Sequence, residues 1–163
     1  MIFKVKKHNP DLYNKLLNLS RNIFFYKKIE LKDSYETRIY LMFLHYSIVL
    51  FIQKKNNNLP DQENYNNLFF YIENNLRELG FGDVAVNKKM KDLNKIFYDI
   101  LIKLSKKKIN FMINEDLITK YFKNLENNVE KRQKLIQYIN DFYGFCFELS
   151  SKSIINNLQN YKY

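Results

Sequence analysis

The sequence predicts an all-α fold, a single-domain bundle of about six helices. Three observations point there. Apolar residues recur at spacings of three and four along nearly the whole chain, the period of an amphipathic helix. The 163 residues include only three glycines and two prolines, too few for a turn-rich β protein. No stretch shows the strict polar–apolar alternation of a half-buried strand. A domain of this length buries roughly 70% of its unfolded surface. Hydrophobic residues at 46% and aromatic residues at 17% supply ample material for that core.

Pro10 and Asp11 signal the start of a first helix, with Leu12, Leu16, Leu19, Ile23 and Tyr26 along one face. A second helix begins near Asp33, whose carboxylate is placed to cap it while Glu36 reaches back, as in a capping box. That helix carries the run Ile39–Ile52, apolar nearly all round, and is predicted to lie at the centre. Residues 56–60 form a polar loop, and Asp61 caps a third helix that turns Leu68, Phe69, Ile72, Leu76 and Leu79 inward. A fourth helix buries Met90, Leu93, Phe97, Ile100 and Leu104 and shows Lys88, Lys91, Lys95 and Asp99 on the opposite face. After a break at residues 110–115, a short helix spans about residues 116–125. A last long helix starts near Val129 and buries Leu135, Ile139, Phe142, Cys146 and Leu149. Residues 1–9 and 151–163 are expected to fray. No internal repeat or flexible linker interrupts the chain.

The formal net charge is +10, which turns attention to anionic partners: RNA, a ribosome surface or acidic lipid. Abundant Lys, Asn and Ile with little Arg is also what AT-rich codons favour, a second source of the same charge. Lysine pairs at 27–28 and 54–55 and the run 106–108 fall at predicted helix C-termini, where the helix dipole favours cations by about 0.3–1 kcal/mol each. If the second and fourth helices run parallel, Lys54, Lys55 and Lys106–Lys108 share one end of the bundle as a basic rim. Met1–Asn9 lacks the apolar core of a signal peptide. The run Ile39–Ile52 falls short of the roughly 20 apolar residues of a membrane span. A cytoplasmic protein, at most peripheral at the inner face of the cytoplasmic membrane, is expected.

Groups for bond chemistry are sparse. No phosphate-binding glycine loop or dinucleotide fingerprint occurs. Two histidines cannot build a metal site alone, and Val49 stands where a zincin helix would place a second ligand after His45. His45 reads as a core histidine. The lone Cys146 sits on an apolar seam, excluding an internal disulfide and weighing against a nucleophile. No catalytic residue, metal or cofactor is expected, and no DNA-recognition module appears. Tyr65, Tyr121 and Tyr161 are candidate exposed aromatics but are scattered.

The unusual backbone chemistry lies at Leu76–Tyr98. Gly80 suits a left-handed residue closing the third helix, over which Phe81 can fold. Gly82 and Asp83 redirect the chain, Val86 and Asn87 lead into the next helix with Asn87 as its cap, and Lys88, Lys89 and Lys91 follow at once.

Leu76, Arg77, Glu78, Gly80, Gly82, Asp83, Lys88, Met90, Lys91, Phe97 and Tyr98 together resemble the signature of the ubiquinol–cytochrome c chaperone family, in its bacterial form. Arg38, Leu44 and His45 resemble its Arg-to-Leu-His helix, and Phe24, Tyr26 and Asp33 its early aromatic helix and acidic turn. Tyr138, Tyr143 and Gly144 resemble a weakened last motif. The chain departs from the pattern at Asn87, at Asp99 and Ile100, and at Asn140 and Asp141.

The resemblance implies a non-enzymatic assembly chaperone for the cytochrome bc complex. Its client would be newly made cytochrome b, met near the ribosome exit or at the membrane face, with or without a second small assembly subunit. The expected contact residues are Arg77, Glu78, Gly80, Gly82, Asp83, Lys88 and Lys91, with Arg38 and His45 supporting them from within. The alternative is a basic RNA- or ribosome-associated protein unrelated to respiration.

Overall fold

The structure, a computed structural model, describes residues 7–105 and 111–163. It is all-α, as the apolar spacing requires, and the described residues contain no strand. The helices are α1 (Asp11–Ser20), α2 (Ile23–Lys27), α3 (Tyr35–Lys55), α4 (Gln62–Glu78), α5 (Asp83–Ser105), α6 (Glu115–Tyr121), α7 (Val129–Glu148) and α8 (Ile154–Asn157). Short 3-10 turns follow at Lys123–Leu125 and Leu158–Asn160.

The run that is apolar on every side becomes the central helix. Between Thr37 and Ile52, α3 has no exposed residue. Its neighbours are laid around it with their apolar stripes inward. Phe43 stacks on Phe69 of α4, with ring centroids 5.6 Å apart, and meets the edge of Phe97 of α5 at 5.3 Å. Tyr46 stacks on the same Phe97 at 5.7 Å. On the other side, His45 meets Phe142 of α7 at 4.7 Å and Phe51 meets Tyr143 at 6.2 Å. The second and fourth predicted helices, α3 and α5, run parallel and pack directly on each other, and α4 returns antiparallel to both. Lys103 aside, the lysines that would complete a rim with Lys54 and Lys55, residues 106–108, lie outside the described residues.

Local signals mostly hold. The Asp61 carboxylate accepts the Glu63 N–H at 2.9 Å and caps α4. Leu93, Phe97, Ile100 and Leu104 are buried along α5 with Met90 partly so, and Val86 extends that face by one turn.

Four expectations are corrected. The first helix does not run through to Tyr26. It stops at Ser20, whose hydroxyl donates to the Leu17 carbonyl at 2.7 Å, and restarts as α2 under an Asn22 cap that accepts the Phe24 N–H at 3.0 Å. The cap of α3 is Ser34, which accepts the Thr37 N–H at 3.2 Å. Asp33 forms an ion pair with Arg38 instead. Leu79 is 56% exposed, because α4 ends there and the bundle offers nothing beyond to cover it. Residues 151–163 are packed in this structure: Ile154 and Leu158 are fully buried, and Tyr161 lies edge-on to Phe142 at 5.2 Å.

Phe97 joins α5 to both α3 and α4, so it is the side chain on which the inner packing most directly tests. Phe97→Ala is expected to cost about 3–5 kcal/mol, read as a lowered urea midpoint at unchanged m-value.

Candidate functional site

The elbow between α4 and α5 forms because each end of it satisfies its own backbone. Gly80 adopts φ +94°, a left-handed conformation that costs a residue with a Cβ about 1–2 kcal/mol. Its N–H donates to the Arg77 carbonyl at 3.0 Å, and the Phe81 N–H donates to the Leu76 carbonyl at 3.3 Å. These two bonds make a complete Schellman motif. Gly82 is not in the left-handed region and a Cβ on it would meet nothing within 4 Å, so only Gly80 is there for conformational reasons.

The helix after the elbow starts earlier than the sequence suggests. Asp83, not Asn87, opens α5, and Asn87 lies exposed within its second turn. An acid in the first turn is favoured by the positive end of the helix dipole. Arg77 adds the second reason. From the last turn of α4 it pairs with Asp83 across the elbow, while its other nitrogen reaches Glu73 one turn back at 3.2 Å. The Asp83 carboxylate raises the Arg77 pKa still further. Arg77 therefore bridges the two helices across the elbow through exposed ion pairs. Glu78 is exposed beside it.

Beyond the elbow, residues 84, 88, 91, 95, 98 and 102 follow at spacings of four and three and share the outer stripe of α5. Val84 is 86% exposed and Tyr98 and Ile102 are about half exposed, with Lys88, Lys91 and Lys95 exposed between them. This is an apolar–basic–apolar stripe. From the sequence the lysines were placed on this stripe, but Val84, Tyr98 and Ile102 were not, although they share its spacing. Lys89 sits beside the stripe with its ammonium 4.6 Å from the centre of the Phe81 ring. Asp99 is no part of that stripe. It accepts hydrogen bonds from Lys103 at 3.2 Å, Lys120 at 2.8 Å and the Tyr121 hydroxyl, tying α5 to α6. Burial opposes its ionisation, but these donors outweigh it and hold its carboxyl at about 2.

The two interior candidates separate. Arg38 lines a cavity whose far wall is Leu79, so it does adjoin the elbow. His45 faces the opposite side of α3. Its Nδ1–H donates to the Leu41 carbonyl at 2.6 Å, and its Nε2 accepts the Tyr138 hydroxyl at 2.8 Å. Burial depresses its pKa to about 4, so it is a neutral core histidine joining α3 to α7. Burial also pushes the Cys146 thiol up to about 12, the protonated and unreactive form. The scattered tyrosines are corrected too. Tyr65 and Tyr161 pack against the core, as does Tyr121, whose hydroxyl is held by Asp99, so none is a free stacking platform.

Fold and site together define an all-α protein whose distinctive feature is an exposed, charged helical elbow over a fully packed central helix. A sequence model of the ubiquinol-cytochrome C chaperone family matches residues 27–156, and the chain belongs to that family. The match runs from the end of α2 into α8 and has the elbow near its middle. No curated protein and no solved structure matches the chain. Family membership carries a chaperone role in assembly of the cytochrome bc complex. Among the described residues no helix is long and apolar enough to cross a membrane.

Two predictions follow from this geometry. Gly80→Ala is expected to destabilise by about 1–2 kcal/mol and Gly82→Ala to change stability by less than about 0.5 kcal/mol, compared by urea unfolding. The neutral His45 makes stability depend on acid. A folded pKa near 4 against an ordinary 6.5 means that the contribution is complete above pH 6.5 and is lost as pH falls toward 4. The loss is about 3 kcal/mol over that window. Asp99 acts lower, between its ordinary 3.8 and about 2. In His45→Gln the upper step should vanish from a urea midpoint plotted against pH.

Proposed function

We propose that this chain is a non-enzymatic, single-domain chaperone that holds newly synthesised cytochrome b during assembly of the cytochrome bc complex. The observation that carries the reading is the family match across residues 27–156, which takes in the central helix and every helix that flanks it from α3 to α7. The contact surface is the elbow and the outer stripe of α5. Val84, Tyr98 and Ile102 offer apolar area to hydrophobic residues of the client, while Lys88, Lys91 and Lys95 meet its carboxylates or the anionic headgroups beside it. Arg77, Glu78 and Asp83 set the angle at which that stripe is presented, and Gly80 and Gly82 shape the turn. Arg38 and His45 act from within by fixing α3.

The chaperone works in the cytoplasm, peripheral to the inner face of the membrane, where the nascent client leaves the ribosome. A second small assembly subunit would extend the same surface. The basic RNA-binding alternative is less well supported, because Tyr65, Tyr121 and Tyr161 pack against the core and leave only Tyr98 beside the lysines of α5.

Removing the gene is expected to lower cytochrome b accumulation, and normal accumulation would defeat the assignment. Tagged protein should recover cytochrome b from its own cells. In the triple variant K88E/K91E/K95E that recovery should fall at least about tenfold, with the urea midpoint unchanged because the three side chains are exposed. Full recovery by the folded variant would remove α5 as the contact surface. Capture lost steeply between low and moderate salt, with RNA as the recovered species, would favour the alternative.

A further inference from the structure

The outer side of α7 carries a line of side chains that the core does not use. Residues 129, 133, 136, 140, 143 and 147 follow at spacings of four and three, so they run straight down the helix for about 27 Å. None of the six is charged, in a chain that is 27% charged and whose corresponding stripe on α5 holds three lysines. Val129 is 60% and Phe147 47% exposed, Ile136 and Tyr143 are half-buried, and Gln133 and Asn140 lie exposed between them. The apolar area continues sideways, because Phe111 stacks on Tyr143 at 4.2 Å and the next residue, Met112, is exposed. Gly144 adjoins this line. Glycine is the poorest helix former after proline. Yet Gly144 sits within α7 without a left-handed φ, and a Cβ on it would meet nothing within 4 Å. Nothing among the described residues requires it, and what it leaves open is room for another backbone to come close.

The two flanks of the line differ in charge. Lys55 holds its ammonium 5.2 Å from the centre of the Phe147 ring, with Lys54 before it, so one flank ends in bases. Asp141 and Glu148, two turns apart and both exposed, lie on the other flank, the side of Tyr161 and Tyr163. We propose that two copies of this chain pair side by side through α7, in parallel, as an isologous dimer. A two-fold axis along the helix sets each flank of one protomer against the opposite flank of its partner at the same height. Asp141 and Glu148 then face Lys54 and Lys55 of the partner subunit, once on each side of the axis. Val129, Ile136, Tyr143 and Phe147 meet their own copies, and Gly144 lets the two backbones approach. Gln133 and Asn140 fall in alternate layers, as do the polar residues that fix register in paired helices. An anionic lipid surface would not suit the acidic flank, and a membrane-spanning helix would leave both flanks unanswered. The face lies across α3 from the elbow, so pairing leaves α5 free and does not depend on which client α5 holds.

Sedimentation equilibrium of the full chain tests this at 0.15 M salt, where repulsion between two chains of net charge +10 is screened beyond about 8 Å. The average mass should rise from monomer to dimer with concentration. Gly144→Leu should hold or raise the urea midpoint, because leucine is the better helix former, while weakening pairing at least about tenfold. Lys54→Glu with Lys55→Glu should weaken pairing as well, and adding Asp141→Lys with Glu148→Lys should restore it. That rescue belongs to a surface that meets its own copy. Gly144→Leu keeps the test decisive if the charge-swapped chain folds poorly. A monomer at every concentration up to about 1 mM, pairing indifferent to Gly144→Leu, or failure of the folded fourfold swap to restore it would overturn the proposal. So would a monomeric chain whose capture of cytochrome b is lost in Gly144→Leu, which gives this face to the client.

Discussion

The constraint from which the rest of this molecule follows is the burial of α3. A helix apolar on one face needs a single partner, but one apolar on all faces must be enclosed. Sixteen consecutive positions, Thr37 to Ile52, lack exposure in this structure. Enclosing them takes α1, α4, α5 and α7 together. The aromatic contacts show how the enclosure is made: Phe43 and Tyr46 share Phe97 on one side, while His45 and Phe51 take Phe142 and Tyr143 on the other. Helix lengths, the antiparallel return of α4 and the tight elbow that sends α5 back all serve that wrapping.

Polar groups inside the enclosure divide into two kinds. His45 is satisfied at both ring nitrogens, so it behaves as part of the packing and its hydrogen bond to Tyr138 fixes the register of α7. Arg38 Nε and the Tyr35 hydroxyl have no partner among the described residues, although they lie on the same helix about two and three turns earlier. Ser47, two residues past His45 and fully buried, also carries a hydroxyl without a partner among the described residues.

What could be read from the sequence was whatever depends on near neighbours in the chain. The apolar period located the long helices, the solid apolar run identified the central one, and the chemistry of Asp61 and Gly80 marked two ends correctly. Errors came where local rules compete. Asp33 and Ser34 are both good caps, and the ion pair to Arg38, a contact five residues away, decided in favour of Ser34. Asp83 and Asn87 competed in the same way, and the helix opens at Asp83, which pairs with Arg77. The break at Ser20 and Asn22 interrupts a face whose apolar spacing is uninterrupted, so periodicity alone could not show it. Of the candidate site, the elbow and its lysines were legible because glycine and charge are local signals. The cavity beside Arg38 was not, since Arg38 and Leu79 meet only through the packing of separate helices.

The enclosure of α3 also divides the chain into two regimes of composition. Its interior positions are taken up mostly by Leu, Ile, Val, Met and aromatic side chains, with Thr37, His45 and Ser47 among them, while every lysine whose burial is described lies outside the core. A genome that drifts toward lysine and asparagine codons can therefore repaint the outer surface of such a protein almost without touching its skeleton. The positive field around the molecule and the shape beneath it are free to change at different speeds.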